Sequence, residues 1–126
     1  MWQFGARSEK RLEGVHPDLV RVVRRALQLS KNDLTIGEGV RTLAQQQEYY
    51  RTGKTQTMNS RHLTGHAVDI WPLVDGAVSW DWKYYYPLAE CMKQAAKELN
   101  VPIEWGGDWK TFKDGPHFQL PWKEYP

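Results

Sequence analysis

The chain is short of several things, and each shortage excludes something. It has one cysteine, Cys91, in 126 residues, so no disulfide can form within it. Cys91 falls in an amphipathic helical pattern with no activating neighbour in the sequence, and reads as an inert buried thiol. No apolar run is long enough to cross a bilayer, and none leads to a cleavage site near the N-terminus. The expectation is a protein folded in a cytoplasm, which another agent must release if its target lies outside. Net charge is also small: 17 Lys and Arg against 15 Asp and Glu leave +2. The basic residues form no dense stripe. Arg21, Arg24 and Arg25 cluster, but a solvated helix face accounts for them, so nucleic acid is not indicated. There is no internal repeat, low-complexity segment or linker, and a single domain over residues 1–126 is expected.

Aromatic residues, by contrast, are abundant: seven Trp and six Tyr. Core packing and scattered half-buried rings are one use for them. The other is a groove for a polymer with sugar or peptide faces. The mild positive charge would assist approach to an anionic cell wall.

Local chemistry sets the element order. Ser8 is placed to cap a short first helix. Pro17 suits the first turn of a second, in which Leu19, Val20, Val23, Ala26, Leu27 and Leu29 recur at helical spacing up to about Ser30. Leu34-Thr35-Ile36 begins a strand expected to run through Gly39-Val40. Thr42 with Gln45 forms a capping box, so a helix spans Leu43 to Arg51 and stops near Gly53. This puts Arg41 at a strand-to-helix junction, either overhanging a cleft or on plain surface. Residues 53–60 are polar and without period, hence a loop. Ala67 to Trp71 alternates, with Val68 and Ile70 on one face and Asp69 on the other, which predicts a strand. Asp75-Gly76 marks a hairpin. Trp82 to Asn100 carries the strongest helical pattern, with Pro87 expected in its first turn. Ile103 to Trp105 and Phe118 to Leu120 read as short strands around a Gly106–Trp109 loop.

The chemistry gathers in two stretches. Ser60-Arg61-His62-Leu63-Thr64-Gly65-His66-Ala67-Val68-Asp69 places two histidines and an aspartate close together, and Asp114-Gly115-Pro116-His117-Phe118 supplies a third histidine. Imidazole and carboxylate suit a borderline cation such as zinc. His62 and His66 could share a helix face, but position 63 is not Glu and Gly65 disfavours a helix interior. The other reading is that His62 binds before the Gly turn and Asp69 after it. His117 is the only histidine C-terminal to this stretch and the natural third ligand. Two imidazoles and one carboxylate leave a fourth position open, the catalytic arrangement, where zinc acidifies water and polarises a carbonyl. A carboxylate nearby must then move the proton. Asp114 is one candidate, unless it is simply a turn residue beside Gly115; Glu104 is another.

Ser60-x-His62-x-x-Gly65-x-Ala67-x-Asp69 resembles the signature of the LAS metallopeptidases, the lysostaphin-type, D-Ala-D-Ala and Hedgehog-like group, and specifically the M15 family. Within it, Asp114-Gly115-Pro116-His117 resembles the phage endolysin and CwlK branch rather than the VanX and VanY-type D-Ala-D-Ala enzymes, whose motif is Glu-x-x-His. Phe4-Gly5, Ser8-Glu9-Lys10, Val40-Arg41-Thr42 and Gly106-Gly107-Asp108-Trp109 resemble the same branch. The resemblance implies an α+β fold, a small mainly antiparallel sheet flanked by helices. It implies one catalytic Zn2+ held by His62, Asp69 and His117, with Asp114 as general base and then acid. Arg41 would stabilise the oxyanion or hold a substrate carboxylate, and Ser60 would lie beside the substrate. His66 falls at a position the signature leaves free and is not counted as a ligand; Asp114 ranks above Glu104 because the family base sits three residues before the ligand.

The activity so implied is hydrolysis of the L-alanyl-D-glutamate bond of peptidoglycan stem peptides by a phage endolysin, released from the host cytoplasm by a holin; the sequence has no coiled-coil seam, and a monomer is expected. The alternatives are a D-alanyl-D-alanine carboxypeptidase or dipeptidase of the same family, and a non-catalytic, zinc-stabilised wall-binding module.

Overall fold

A computed structural model describes residues 2–126. Among them, five strands form one antiparallel sheet in the order β1 (Asp33–Glu38), β2 (Ala67–Val74), β5 (His117–Gln119), β4 (Glu104–Trp105), with β3 (Ala77–Val78) pairing with the far end of β2. The fold is α+β, as the resemblance implies. Helices α2 (Pro17–Leu29) and α4 (Trp82–Leu99) cover one face. Leu19, Val22, Val23 and Ala26 of α2 meet Leu88, Met92 and Ala95 of α4 and Val68, Ile70 and Phe118 of the sheet in one core. Each fully buried Val, Leu, Ile, Met or Phe side chain among them contributes about 1.5–3 kcal/mol. Among the described residues, no helix is long and apolar enough to cross a membrane.

Alternation along β2 divides the two faces. Val68, Ile70 and Pro72 are buried toward the helices, while Asp69 and Trp71 face the opposite way and are only partly covered. That opposite face carries the cleft.

Several local signals place elements as the sequence predicts. Pro17 opens α2 and Ser30 closes it, with the His16 imidazole accepting from Asp18 N. The Thr42 hydroxyl accepts from Gln45 N and starts α3 (Leu43–Arg51). Asp75 and Gly76 both take positive φ, 53° and 81°, in the β2–β3 turn, the geometry of a tight hairpin.

Four expectations are corrected. Ser8 is not the cap of α1 (Ala6–Arg11), whose N-cap is Gly5. Ser8 lies inside the helix, buried, where its hydroxyl meets Thr35 Oγ1 at 3.0 Å and accepts from Ile36 N at 2.9 Å. With Arg11 Nη1 donating to Ile36 O at 2.9 Å, α1 satisfies the outer edge of β1, which would otherwise offer free backbone groups. Pro87 is not in the first turn of α4 but deeper inside it, because Asp81 caps the helix earlier by accepting from Lys83 N. Strand β1 ends at Glu38, not Val40, after a register shift between Ile36 and Glu38. Residues Gly106–Asp108, expected as loop, make one turn of 3-10 helix.

Candidate metal centre

Strand register builds the centre. Asp69 pairs with Glu38 across the β1–β2 ladder and with His117 across the β2–β5 ladder. Directly opposite residues of an antiparallel pair project their side chains to the same face, so an acid, an acid and a histidine stand in a row. His62 arrives from a 3-10 turn, Arg61–Thr64, that Ser60 caps by accepting from His62 N at 3.2 Å. Gly65 ends that turn with φ of 77°, and a Cβ there would also lie 2.3 Å from Gly14 O. Only glycine takes both the left-handed backbone and the close approach without strain. The reversal it provides turns the chain from His62 into β2 and so to Asp69.

The ligating atoms of His62, Asp69 and His117 lie within 4.8 Å of one another. Their outer hydrogen bonds decide which ring nitrogens face inward. His62 Nδ1 lies 2.8 Å from Gly39 O; a carbonyl only accepts, so Nδ1 carries the hydrogen and Nε2 presents a lone pair. His117 Nε2 lies 2.7 Å from Gln119 Oε1, and Gln119 Nε2 donates to Glu104 Oε2 at 3.2 Å. The amide is thereby oriented, His117 Nε2 carries the hydrogen, and Nδ1 points inward. Yet His62 Nε2 is 3.2 Å and His117 Nδ1 3.4 Å from Asp69 Oδ1. Three lone-pair atoms converge on one point. Either added protons on both rings or a single cation must occupy the space between them, and two imidazoles with one carboxylate are the donor set of an open zinc site. Charge follows the same pattern. Burial acts to raise the Asp69 pKa, but the contacts with His117 and His62 outweigh it and hold the carboxyl well below its usual range. Burial acts to lower the His117 pKa, and the contact with Asp69 outweighs it in the opposite sense.

A cleft of about 440 Å³ opens over this group, and Arg41, Ser60, Asp114 and Trp109 line it together with the three donors. Asp114 comes from the loop before β5 and is held by backbone bonds alone, its N–H donating to Gly106 O at 3.1 Å and its C=O accepting from His117 N at 3.3 Å. Burial first, then the negative charge of Asp69, push its carboxyl above the ordinary value. Glu104, the competing carboxylate, does not line the cleft. It lies behind Gln119, at the outer end of the chain that orients His117. Trp109 packs its ring 5.0 Å from that of His117.

Arg41 does overhang the cleft, but it is not free. Its Nε pairs with Glu38, and its Nη1 donates to Gln46 Oε1 at 2.6 Å and to Ser60 Oγ at 3.5 Å. Its backbone N–H donates to His62 O at 3.0 Å. Ser60 therefore touches both the arginine and the histidine turn. His66 stands apart from the donor group: its Nδ1 meets Thr64 Oγ1 at 2.7 Å and its ring lies 5.5 Å from that of His16.

Three residues of this neighbourhood escaped sequence reasoning. Gln46 is fully buried in α3 and braces Arg41 while donating to Thr57 O at 2.6 Å. Arg61 is only 3% exposed and donates to Leu120 O at 3.0 Å, beneath the Trp122 ring at 4.1 Å. Gln119 follows His117 by two residues, and period-two placement on one strand face was the signal that could have found it.

Comparison with known proteins points to one family. The family model for phage L-alanyl-D-glutamate peptidase matches residues 1–120. The L-alanyl-D-glutamate peptidase of Escherichia phage T5 is 38% identical over 117 residues, covering 90% of this chain and 85% of that protein. The crystal structure of the Serratia marcescens L-Ala D-Glu endopeptidase ChiX superposes with a TM-score of 0.94 at 52% identity, covering 100% of this chain and 94% of that one. A vancomycin-resistance D,D-pentapeptidase, VanY, solved in complex with Zn(II), superposes with a TM-score of 0.55 at 18% identity, covering 84% of this chain and 72% of that one, a likeness of fold. With a model match along nearly its whole length and a relative of this identity, the chain belongs to the phage L-alanyl-D-glutamate peptidase family.

Proposed function

We propose that this chain is a zinc peptidase that hydrolyses the L-alanyl-D-glutamate bond of peptidoglycan stem peptides. One observation carries the reading: the inward lone pairs of His62, Asp69 and His117 meet on the cleft that Asp114 also lines. His62 through Nε2, Asp69 through Oδ1 and His117 through Nδ1 would hold the ion, with one position open to the cleft. Bound zinc supplies Lewis acidity toward a peptide carbonyl and a water molecule.

The side chains supply the rest. Asp114 has a raised pKa and no hydrogen bond perturbing its carboxyl, which suits a group that takes a proton from water and passes it to the leaving amine. Arg41, fixed on Nε and Nη1, leaves Nη2 for the developing oxyanion or a substrate carboxylate. Ser60 holds the His62 turn and the arginine in register. The Gln119–Glu104 pair fixes the His117 ring. The biological setting that fits is a monomeric endolysin of a phage, delivered to the wall by a holin.

Digestion of purified sacculi, followed by mass spectrometry with chelator and with zinc restored, tests this. Peptides beginning at D-glutamate, lost with chelator and regained with zinc, are expected from the wild type and not from Asp114→Asn. Release of terminal D-alanine instead would assign the enzyme to D-alanyl-D-alanine cleavage. Wall binding without any product would overturn the catalytic reading.

A further inference from the structure

The cleft has three cationic side chains on its wall, Arg41, Lys54 and Arg61, and two of them are already engaged. Arg41 is neutralised by Glu38 and braced by Gln46. Arg61 donates to the carbonyls of Leu120, Pro121 and Tyr125, which tie the C-terminal segment down. Among the described residues, no carboxylate lies within ion-pair distance of the Lys54 ammonium.

Lys54 is nevertheless held in place. Its backbone N–H donates to Tyr49 O at 2.8 Å, and its ammonium lies 5.3 Å from the centroid of the Tyr49 ring. The Arg41 guanidinium lies 4.8 Å from the same ring, and the Tyr49 hydroxyl reaches toward Glu38 Oε2 at 3.5 Å. One aromatic ring thus positions both cations, but only Arg41 has an anion to answer it. Around Lys54 the rim is polar, with Thr55, Gln56, Thr57 and Asn59, whereas Trp109, Phe112 and Trp122 form the aromatic part of the wall.

We propose that Lys54 is a specificity residue that binds a free carboxylate of the stem peptide on the amine side of the scissile bond. The inference rests on the peptidase reading above. It follows from the chemistry of that side. The glutamate continues the stem through its γ-carboxyl, so its α-carboxylate stays free, and a diaminopimelate in the third position adds another. A solvated ammonium with no anionic partner, on the polar rim of the cleft, is the complementary group.

Four synthetic peptides with the wild type, Lys54→Met and Lys54→Arg test it: L-Ala-D-Glu linked through γ to diaminopimelate, the same with D-isoglutamine for D-glutamate, the same with lysine for diaminopimelate, and the doubly changed peptide. For the first peptide, Lys54→Met is expected to raise KM about tenfold, the worth of one charge-assisted hydrogen bond, with kcat kept and Lys54→Arg restoring most of the loss. If the effect vanishes with D-isoglutamine, the α-carboxylate is the ligand; if it vanishes with lysine in the third position, the diaminopimelate carboxylate is. An equal loss on all four peptides, or no loss on any, overturns the proposal while leaving the peptidase reading intact. A wild type that cleaves none of them overturns both.

Discussion

Asp69 stands directly opposite His117 across the β2–β5 ladder, with His117 Nδ1 3.4 Å from Asp69 Oδ1. A strand pair is a rigid way to place two ligands, because the separation of their Cβ atoms is set by backbone hydrogen bonds. The third donor, His62, is set by a turn, and its ring is locked from outside by Gly39 O. The candidate centre is therefore preorganised on three sides before any ion arrives.

Preorganisation makes the ion a source of stability. Zinc bound to the folded state alone adds about 2.7 kcal/mol when its free concentration is a hundredfold above Kd. Thermal unfolding of the wild type should shift down on adding a chelator, whereas His117→Ala should melt at the same temperature with and without it. A chelator response that persists undiminished in His117→Ala would place the ion elsewhere.

The oriented amide behind His117 makes a finer prediction. Gln119→Leu keeps all three donors but removes the acceptor for His117 Nε2–H. Loss of such an outer partner weakens metal affinity by about 10- to 100-fold. Competition with a zinc indicator should read that loss, and Glu104→Gln, one bond further out, should read a smaller one. Equal affinities for Gln119→Leu and the wild type would show that the ring needs no such support.

How much of this was legible in the sequence depends on how local each determinant is. Thr42 with Gln45, Pro17, and Asp75 with Gly76 act on their own neighbours, and the chain obeys them. The donor group was legible because His62, Gly65 and Asp69 are close in sequence and His117 is the only histidine C-terminal to them, a set that the resemblance also implies. Ser8 was misplaced because its partners, Thr35 and Ile36, lie 27 and 28 residues away, and a tertiary bond outweighed its capping preference. Arg61 reads as one more surface cation until the fold brings Leu120 O to it from 59 residues on. The engagement of Arg41 by Gln46 was equally invisible, since nothing in a helix pattern marks an inward-facing glutamine.

Two carboxylates near the site should differ sharply in consequence. Asp114 lines the cleft and has a raised pKa, whereas Glu104 does not line it. Asp114→Asn should lower kcat by about 10²–10⁴ with zinc content and melting temperature near those of the wild type. Glu104→Gln should retain most of the activity. A larger loss from Glu104→Gln than from Asp114→Asn in steady-state assays would reverse the roles.

Gly106 links loop geometry to that carboxylate. A Cβ at this position would lie 2.4 Å from Asp114 O and 3.1 Å from the Cβ atoms of both Asp114 and His117. Gly106→Ala should therefore move the base and a ligand together, at a strain cost of about 1–3 kcal/mol. The expected result is a lower melting temperature together with a lower kcat, while Gly53→Ala, whose Cβ would meet nothing within 4 Å but whose φ is +81°, should affect stability without kcat. Full activity in Gly106→Ala would mean that the loop relaxes freely.

The C-terminal segment provides the pH dependence. Tyr125 donates its hydroxyl to Asp18 Oδ2 at 2.7 Å, and that bond, ahead of burial, raises the tyrosine pKa. The neutral phenol is the form the fold favours. Its contribution is fully present below the unfolded value near 10 and is lost as pH rises through the higher folded value. Because the pair is partly open to solvent, the effect on melting is expected to be small. Tyr125→Phe should melt below the wild type at pH 8, and the gap should close as pH rises above 10, where ionised Tyr125 faces the negative charge of Asp18. A gap that stays constant from pH 8 to 11 would show that the hydrogen bond to Asp18 is not its source.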